Sequence, residues 1–291
     1  MSFSAATFLK LGRVSNLPTV WTNTLAGVVL AGGSPDDWRI ILLLLAMTFA
    51  YTGGMFLNDA FDSEIDARER PERPIPSGEV SMVSVFTMGS AMLGAGVLLV
   101  VWCALTPGGG GTRAIVASVA LVAAIVLYNA WHKANPWSPL VMGLCRMLVY
   151  ITAGWALSTE VSSMLYFGGA AMLCYLIGLT YTAKQENLGE VKNLWPLVFL
   201  AVPAIYAALN ASVHLQSWLA ILIFLAWLCY ALRFVKRRQA GDIPKAVVSM
   251  IAGISLIDAM FIASIGSLSW VILALLAFGL TLFLQRYISG T

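Results

Sequence analysis

The sequence predicts an all-α fold, a polytopic transmembrane helical bundle of nine or ten spans, and three observations predict it. Only 11% of the 291 residues are charged while 59% are hydrophobic, against about 25% charged in ordinary soluble domains. Mean hydropathy is +0.84. Apolar runs of the roughly 20 residues that a bilayer core demands of a helix follow one another along the chain. The same figures exclude a secreted disulfide scaffold and a disordered chain. A net charge of +3 leaves too little basic density to track nucleic-acid phosphates, so the expected partner is the lipid bilayer and no nucleic acid.

Taken in order, the runs lie near residues 14–32, 39–60, 82–105, 113–131, 138–157, 163–183, 194–211, 216–233, 246–265 and 268–287. The first follows a short amphipathic start (Phe3, Phe8, Leu9, Lys10, Leu11) and lacks a small-residue cleavage site ahead of a soluble domain, so it reads as a retained helix. Residues 1–291 then read as one transmembrane domain. Short loops such as Ser264 to Ser267 barely separate the last four runs, which set the choice between nine and ten spans. With ten spans, every Lys and Arg except Arg39, Arg113 and the intramembrane Arg146 falls on one side. The positive-inside rule makes that side cytoplasmic, and the expected location is the cell inner membrane with the polar site facing the cytoplasm. Cys103, Cys145, Cys174 and Cys229 all sit inside apolar runs, where a thiol is a small hydrophobe. His132 and His214 lie near span ends on opposite sides, which speaks against a His/Cys metal site, and Gly108 to Gly111 read as a flexible loop.

Carboxylates are more concentrated than cations. Asp59, Asp62, Glu64 and Asp66 directly continue the second apolar run, preceded by Asn58. If the helix continues, Asp59, Asp62 and Asp66 share one face at i, i+3 and i+7, with Asn58 beside them. Like charges at that spacing repel, so the arrangement calls for a counter-charge. Mg²⁺ is a natural one, because it takes oxygen ligands and fills its remaining positions with water or phosphate oxygens. A solvated helix end paired with Arg68, Arg70 and Arg73 is the plainer reading. It loses ground because the acids begin at the membrane boundary and a proline-bracketed turn over residues 70–78 holds Arg70 and Arg73 nearby.

A second polar cluster closes the sixth run: Tyr181, Lys184, Glu186 and Glu190, the two glutamates at i, i+4. Alone it reads as a surface salt bridge; beside the first cluster it reads as a second carboxylate face. The loop after the fourth run adds Tyr128, Asn129, His132, Lys133 and Asn135, with Trp131 and Trp137 as interfacial aromatics. Arg146 and Asp258 remain inside spans, where ionisable groups are functional candidates by default. They form either a mutual ion pair, or Arg146 belongs to an acceptor or diphosphate site.

Asn58-Asp59-x-x-Asp62-x-x-x-Asp66, followed by Arg-Pro-x-Pro-Ser-Gly at Arg73 to Gly78, resembles the first signature of the UbiA superfamily of intramembrane prenyltransferases. The resemblance extends to Arg13, Asn16 and Pro18 in the first helix, to a Tyr and a Lys after the fourth run, and to a second signature after the sixth. It implies Mg²⁺-dependent transfer of a prenyl group from an allylic prenyl diphosphate donor to an acceptor inside the membrane. Carried over, Asn58, Asp59, Asp62, Asp66, Glu186 and Glu190 are the metal ligands, and Asn16, Asn58, Arg70, Arg73, Tyr128, Lys133, Arg146, Tyr181 and Lys184 contact substrate. The usual second signature is Asp-x-x-x-Asp, whereas this chain has Glu186-x-x-x-Glu190. The departure disfavours the ubiquinone, menaquinone, haem O and chlorophyll branches and resembles the EboC-type branch.

Ionisation of an allylic diphosphate requires neutralised oxygens and a cation kept from water by aromatic faces; Phe56, Tyr128, Tyr150 and Tyr181 are candidates. The acceptor could be an aromatic ring, a cyclitol or sugar, or a lipid headgroup. The competing reading is a secondary transporter or lipid carrier, and a third is an inactive scaffold.

Overall fold

In the computed structural model, which describes residues 4–34, 36–133, 135–185, 193–211, 213–288 and 290, every regular element among the described residues is a helix. It opens with α1 (Ala5–Leu11), a 3-10 turn (Val14–Asn16) and α2 (Leu17–Leu30). There follow α3 (Arg39–Phe61), α4 (Ser63–Glu69), α5 (Met82–Leu105), α6 (Thr112–Trp131), α7 (Ser138–Leu157) and α8 (Ser163–Lys184). A 3-10 segment (Trp195–Ala201) leads into α9 (Val202–Leu209), and α10 (Leu215–Arg237), α11 (Asp242–Ser264) and α12 (Leu268–Leu284) complete the bundle.

All ten apolar runs fold as helix, but they are not equivalent. Seven helices, α3, α5, α6, α7, α8, α10 and α11, are long and apolar enough to cross a bilayer. The first, seventh and tenth runs give shorter helices. Pro18 and the turn ahead of it shorten α2 to 14 residues. Pro196 and Pro203 hold the start of the seventh run in 3-10 geometry, because a proline supplies no backbone N–H and fixes its own φ.

Two helices form the centre. Every residue of α2 except Trp21 is buried, and 89% of the apolar window of α11 is buried. α11 packs on α2, α8, α10 and α12, while α2 also packs on α3 and α7. One apolar cluster gathers around α11 with α8 and α10, and a second around α3, α5 and α7. Ile41, Leu98, Phe167 and Leu222 lie on the exposed periphery, as expected of a surface solvated by lipid.

Lipid is as apolar as the helix faces, so close packing must drive association, and glycine at a crossing permits it. On α3 and α5 the backbones meet at Gly53 and Gly89; a Cβ on Gly53 would lie 2.7 Å from the Gly89 carbonyl oxygen. The glycine loop between α5 and α6, expected to be flexible, is packed instead. Gly110 donates to the Trp155 carbonyl at 2.9 Å, and Arg39 Nη1 donates to the Pro107 carbonyl at 2.9 Å.

The acidic segment differs from a continuous helix. α3 ends at Phe61, Asp62 caps it, and α4 begins at Ser63. The backbone N–H of Asp62 still bonds the Asn58 carbonyl at 2.9 Å and that of Asp66 bonds the Asp62 carbonyl at 2.8 Å, so the break is a small one. It is enough to part Asp62 from its neighbours: Asp59 and Asp66 share Arg73, while Asp62 turns to His132 and Lys133.

Gly53→Val forces the valine against the Gly89 carbonyl and is expected to cost about 1–3 kcal/mol, read as a lower Tm of the detergent-purified protein. Gly94→Ala, where a Cβ meets nothing within 4 Å, is the control and leaves Tm unchanged.

Candidate active site

Arg13 is the residue that brings the first cluster together. It sits between α1 and the 3-10 turn with φ 42 and ψ 47, the left-handed region that few non-glycine residues adopt. From there its Nη2 donates to Asn58 Oδ1 at 3.0 Å and to Asp59 Oδ1 at 3.1 Å. Arg73, on the proline-rich turn, approaches from the other side, with Nη1 2.6 Å from Asp66 Oδ2 and 3.4 Å from Asp59 Oδ1. The turn is fixed by backbone bonds from Arg73 to Arg70 at 3.0 Å and from Ser77 to Arg73 at 3.0 Å.

Asp62 faces away from the arginines. His132 Nε2 and Lys133 Nζ, from the loop after α6, each stand 3.5 Å from its Oδ2. Burial pushes the Asp62 carboxyl up, but the hydrogen bond from His132 and the Lys133 charge outweigh it and hold the group below the usual carboxylate range. Asn58 Nδ2 donates to Asn129 Oδ1 at 3.3 Å, and Asn129 in turn donates to the Gly54 carbonyl at 2.9 Å. The cluster therefore joins α3, α4, α6 and the segment after α1.

These groups stand at the polar mouth of a cavity of about 320 Å³. Arg13, Asn58, Arg70, Arg73, Asn129 and His132 line that end, and the Arg70 guanidinium makes no hydrogen bond or ion pair among the described residues. The walls are apolar, with Met47, Leu121, Ile125, Leu176 and Ile251 among them, and Tyr51 and Tyr128 present rings. Arg146 lines the cavity as well, eight residues into α7, about 12 Å below that helix start at 1.5 Å per residue.

Of the expected substrate contacts, Asn16, Asn58, Arg70, Arg73, Tyr128 and Arg146 line the cavity. Lys133 does not line it and stands beside Asp62 with a 41% exposed side chain. Tyr181 packs against the apolar cluster around α11. Lys184 is committed elsewhere: its Nζ reaches the Asn135 carbonyl and Ser138 Oγ, each at 2.8 Å, and the His132 carbonyl at 3.4 Å. An ammonium has three donors, so Lys184 ties the end of α8 to the loop that carries His132 and Lys133. Phe56 and Tyr150 are fully buried away from the cavity. Arg146 and Asp258 form no direct ion pair; Asn23 stands between them. Glu186 and Glu190 lie outside the described residues.

Reading the sequence did not single out Tyr51 as a wall residue, named Asn129 only as one of a polar group after the fourth run, and did not find Arg13 as the partner of Asp59. One signal was available for His132: it follows Tyr128 by four positions, and the two rings stack at 4.9 Å. Among the described residues no three His, Cys, Asp or Glu side chains converge into a ready metal cluster. The donor set of Asn58, Asp59, Asp62 and Asp66 still fits Mg²⁺ in kind, being made of hard oxygens about two helical turns apart; Asn58 lines the cavity itself, while Asp59 and Asp66 stand behind the lining residues Arg13 and Arg73.

The model of the UbiA prenyltransferase family matches residues 20–254. A digeranylgeranylglyceryl phosphate synthase of Methanopyrus kandleri is 26% identical over 228 residues, 75% of each chain. One from Metallosphaera sedula is 36% identical over 93 residues, 32% of this chain and 33% of its own. A protoheme IX farnesyltransferase of Chloroflexus aurantiacus is 23% identical over 75% of this chain and 40% of its own. The chain thus spans well under two thirds of the length of these last two relatives. Among solved structures, a UbiA homologue from Archaeoglobus fulgidus bound to GPP and Mg²⁺ superposes with a TM-score of 0.61 at 14% identity, covering 91% of this chain and 99% of that one. The apo UbiA homologue from Aeropyrum pernix K1 gives 0.64 at 15% identity, covering 86% and 97%. At these identities the superpositions speak for a shared fold. With the family match over residues 20–254 lying across both the mouth and the cavity, the chain belongs to the UbiA prenyltransferase family.

Proposed function

We infer that the protein transfers a prenyl group from an allylic prenyl diphosphate to an acceptor within the membrane, releasing diphosphate. The observation that carries this reading is an ionic cluster at one end of a cavity whose walls are apolar. Such a cavity suits a molecule with one highly charged end and a hydrocarbon tail. The A. fulgidus homologue bound to GPP and Mg²⁺ supports it, as do the relatives' names.

Asn58, Asp59, Asp62 and Asp66, with Glu186 and Glu190 of the second motif, would hold Mg²⁺. The metal would neutralise charge building on the departing diphosphate. Arg70 and Arg73 face the cavity and supply N–H groups to phosphate oxygens. Arg13 joins them, since its guanidinium lies against the same carboxylate as Arg73. Lys133 reaches the outer edge of the mouth. Tyr128 and Tyr51 offer ring faces to an allylic cation, and the apolar wall keeps water from it. Tyr181 and Lys184 act outside the cavity, the latter by holding the 132–138 loop in place. Asn16 and Arg146 lie where an acceptor, whether an aromatic ring, a cyclitol or sugar, or a lipid headgroup, would meet the donor. The bias of Lys and Arg toward the mouth side favours a cell inner membrane with the site open to the cytoplasm, and residues 1–291 act as one domain.

Purified protein is expected to release diphosphate from geranyl diphosphate when Mg²⁺ is present and to stop when the metal is chelated; no release from allylic diphosphates of any chain length sinks the transferase reading. Asp62→Ala should abolish that release, and Asp66→Asn should lower kcat by at least about 100-fold without a matching loss of thermal stability. Full activity in Glu186→Ala would remove the second motif from the reaction.

A further inference from the structure

A polar network lies deep in the bundle, apart from the mouth. α2 contributes Thr19, Thr22 and Asn23, α7 contributes Arg146 and Tyr150, and α11 contributes Ser255 and Asp258. Asn23 and Asp258 are 0% exposed. Both Asp258 oxygens accept from Asn23 Nδ2, at 3.1 and 2.8 Å, and one also accepts from the Tyr150 hydroxyl. Two contacts from the Asn23 amide and one with the Tyr150 hydroxyl converge on Asp258, a set of donors that stabilises negative charge on its oxygens. The other end of the same amide, Asn23 Oδ1, accepts from Arg146 Nη1 at 2.7 Å, and Arg146 Nη2 donates to Thr19 Oγ1 at 3.3 Å.

The bridge has two electrostatic consequences. A direct, forked Arg–Asp pair would take two guanidinium N–H groups and turn them away from the cavity. Routed through Asn23, the pair costs Arg146 one N–H on that side. With Thr19 a second is used, and the remaining three of its five donors have no hydrogen-bond partner among the described residues; the guanidinium lies 5.8 Å from the Tyr51 ring centre. With Asp258 ionised, the positive charge is balanced inside the same low-dielectric region and the network as a whole is neutral. An added anion would leave a net buried charge, which is costly, whereas a neutral oxygen would satisfy the free donors without one.

We propose that the Arg146 end of the cavity is an acceptor subsite for a neutral, oxygen-bearing head such as a hydroxyl, carbonyl or amide, and that Asp258 and Asn23 are positioning residues that set this preference against carboxylate or phosphate heads. The proposal rests on the transferase reading for its meaning, but its test reads binding. The probes are 4-hydroxybenzamide and 4-hydroxybenzoate, equal in shape and different in charge. Each is titrated calorimetrically into the full chain in phospholipid nanodiscs.

Wild type should bind the amide at least about tenfold more tightly than the carboxylate. Asp258→Asn leaves Arg146 uncompensated and should shift that ratio at least about tenfold toward the carboxylate, while Arg146→Gln weakens both probes. If Asp258→Asn does not fold, the double variant Arg146→Gln/Asp258→Asn, which removes both charges together, should bind the two probes within about threefold of each other and both weakly. No binding of either probe to wild type, a wild-type preference for the carboxylate, or a ratio unmoved in the variants overturns the proposal. Diphosphate release is measured on the same samples: probe selectivity without any release leaves the subsite standing and removes the transferase reading, and release without selectivity does the reverse.

Discussion

A carboxylate at the edge of a membrane is tolerable only if something positive stands beside it, and in this protein that requirement falls hardest on Asp59. It belongs to the last turn of a membrane-spanning helix, it is buried, and it is shared by two arginines from separate segments. Meeting its charge fixes where Arg13 and Arg73 sit, hence the strained backbone at Arg13 and the tight turn around Arg73. Those placements leave Arg70 open to the cavity and orient Asn58 toward Asn129. Much of the mouth follows from satisfying one anion where water is scarce.

The opposite treatment of charge at the two ends of the cavity follows from the same physics. At the mouth, several carboxylates and several cations meet at distances from 2.6 to 3.5 Å, an arrangement that can exchange partners when a polyanion arrives. Deeper down, one cation and one anion are held apart by an amide whose two ends match them. The mouth is built for a large transfer of charge, and the floor for none. A substrate pair in which one member carries the diphosphate and the other is uncharged fits that gradient.

The bundle was legible in the sequence because hydropathy is a local quantity: each of the ten apolar runs became helix. Their unequal lengths were less so, since Pro18, Pro196 and Pro203 act on backbone geometry inside runs that stay apolar throughout. The first acidic motif was legible from spacing alone, and the turn carrying Arg70 and Arg73 from its prolines. Partner choice was not. Nothing local says that Asp62 turns to His132 while Asp59 turns to Arg13, because those pairings depend on the small break at Asp62 and on how α6 packs against α3. Arg146 and Asp258 were recognisable as misplaced charges, but their intermediary, Asn23, looks like any polar residue in an apolar stretch. Lys184 was expected at the substrate from its place in the second signature; in space it is held by two carbonyls and a hydroxyl.

Those three bonds join two stretches of chain that are about fifty residues apart. The ammonium at the end of α8 grips the same loop whose His132 and Lys133 hold Asp62. The end of α8 and the support of Asp62 are thereby one mechanical unit: a displacement of either strains the other through the same loop.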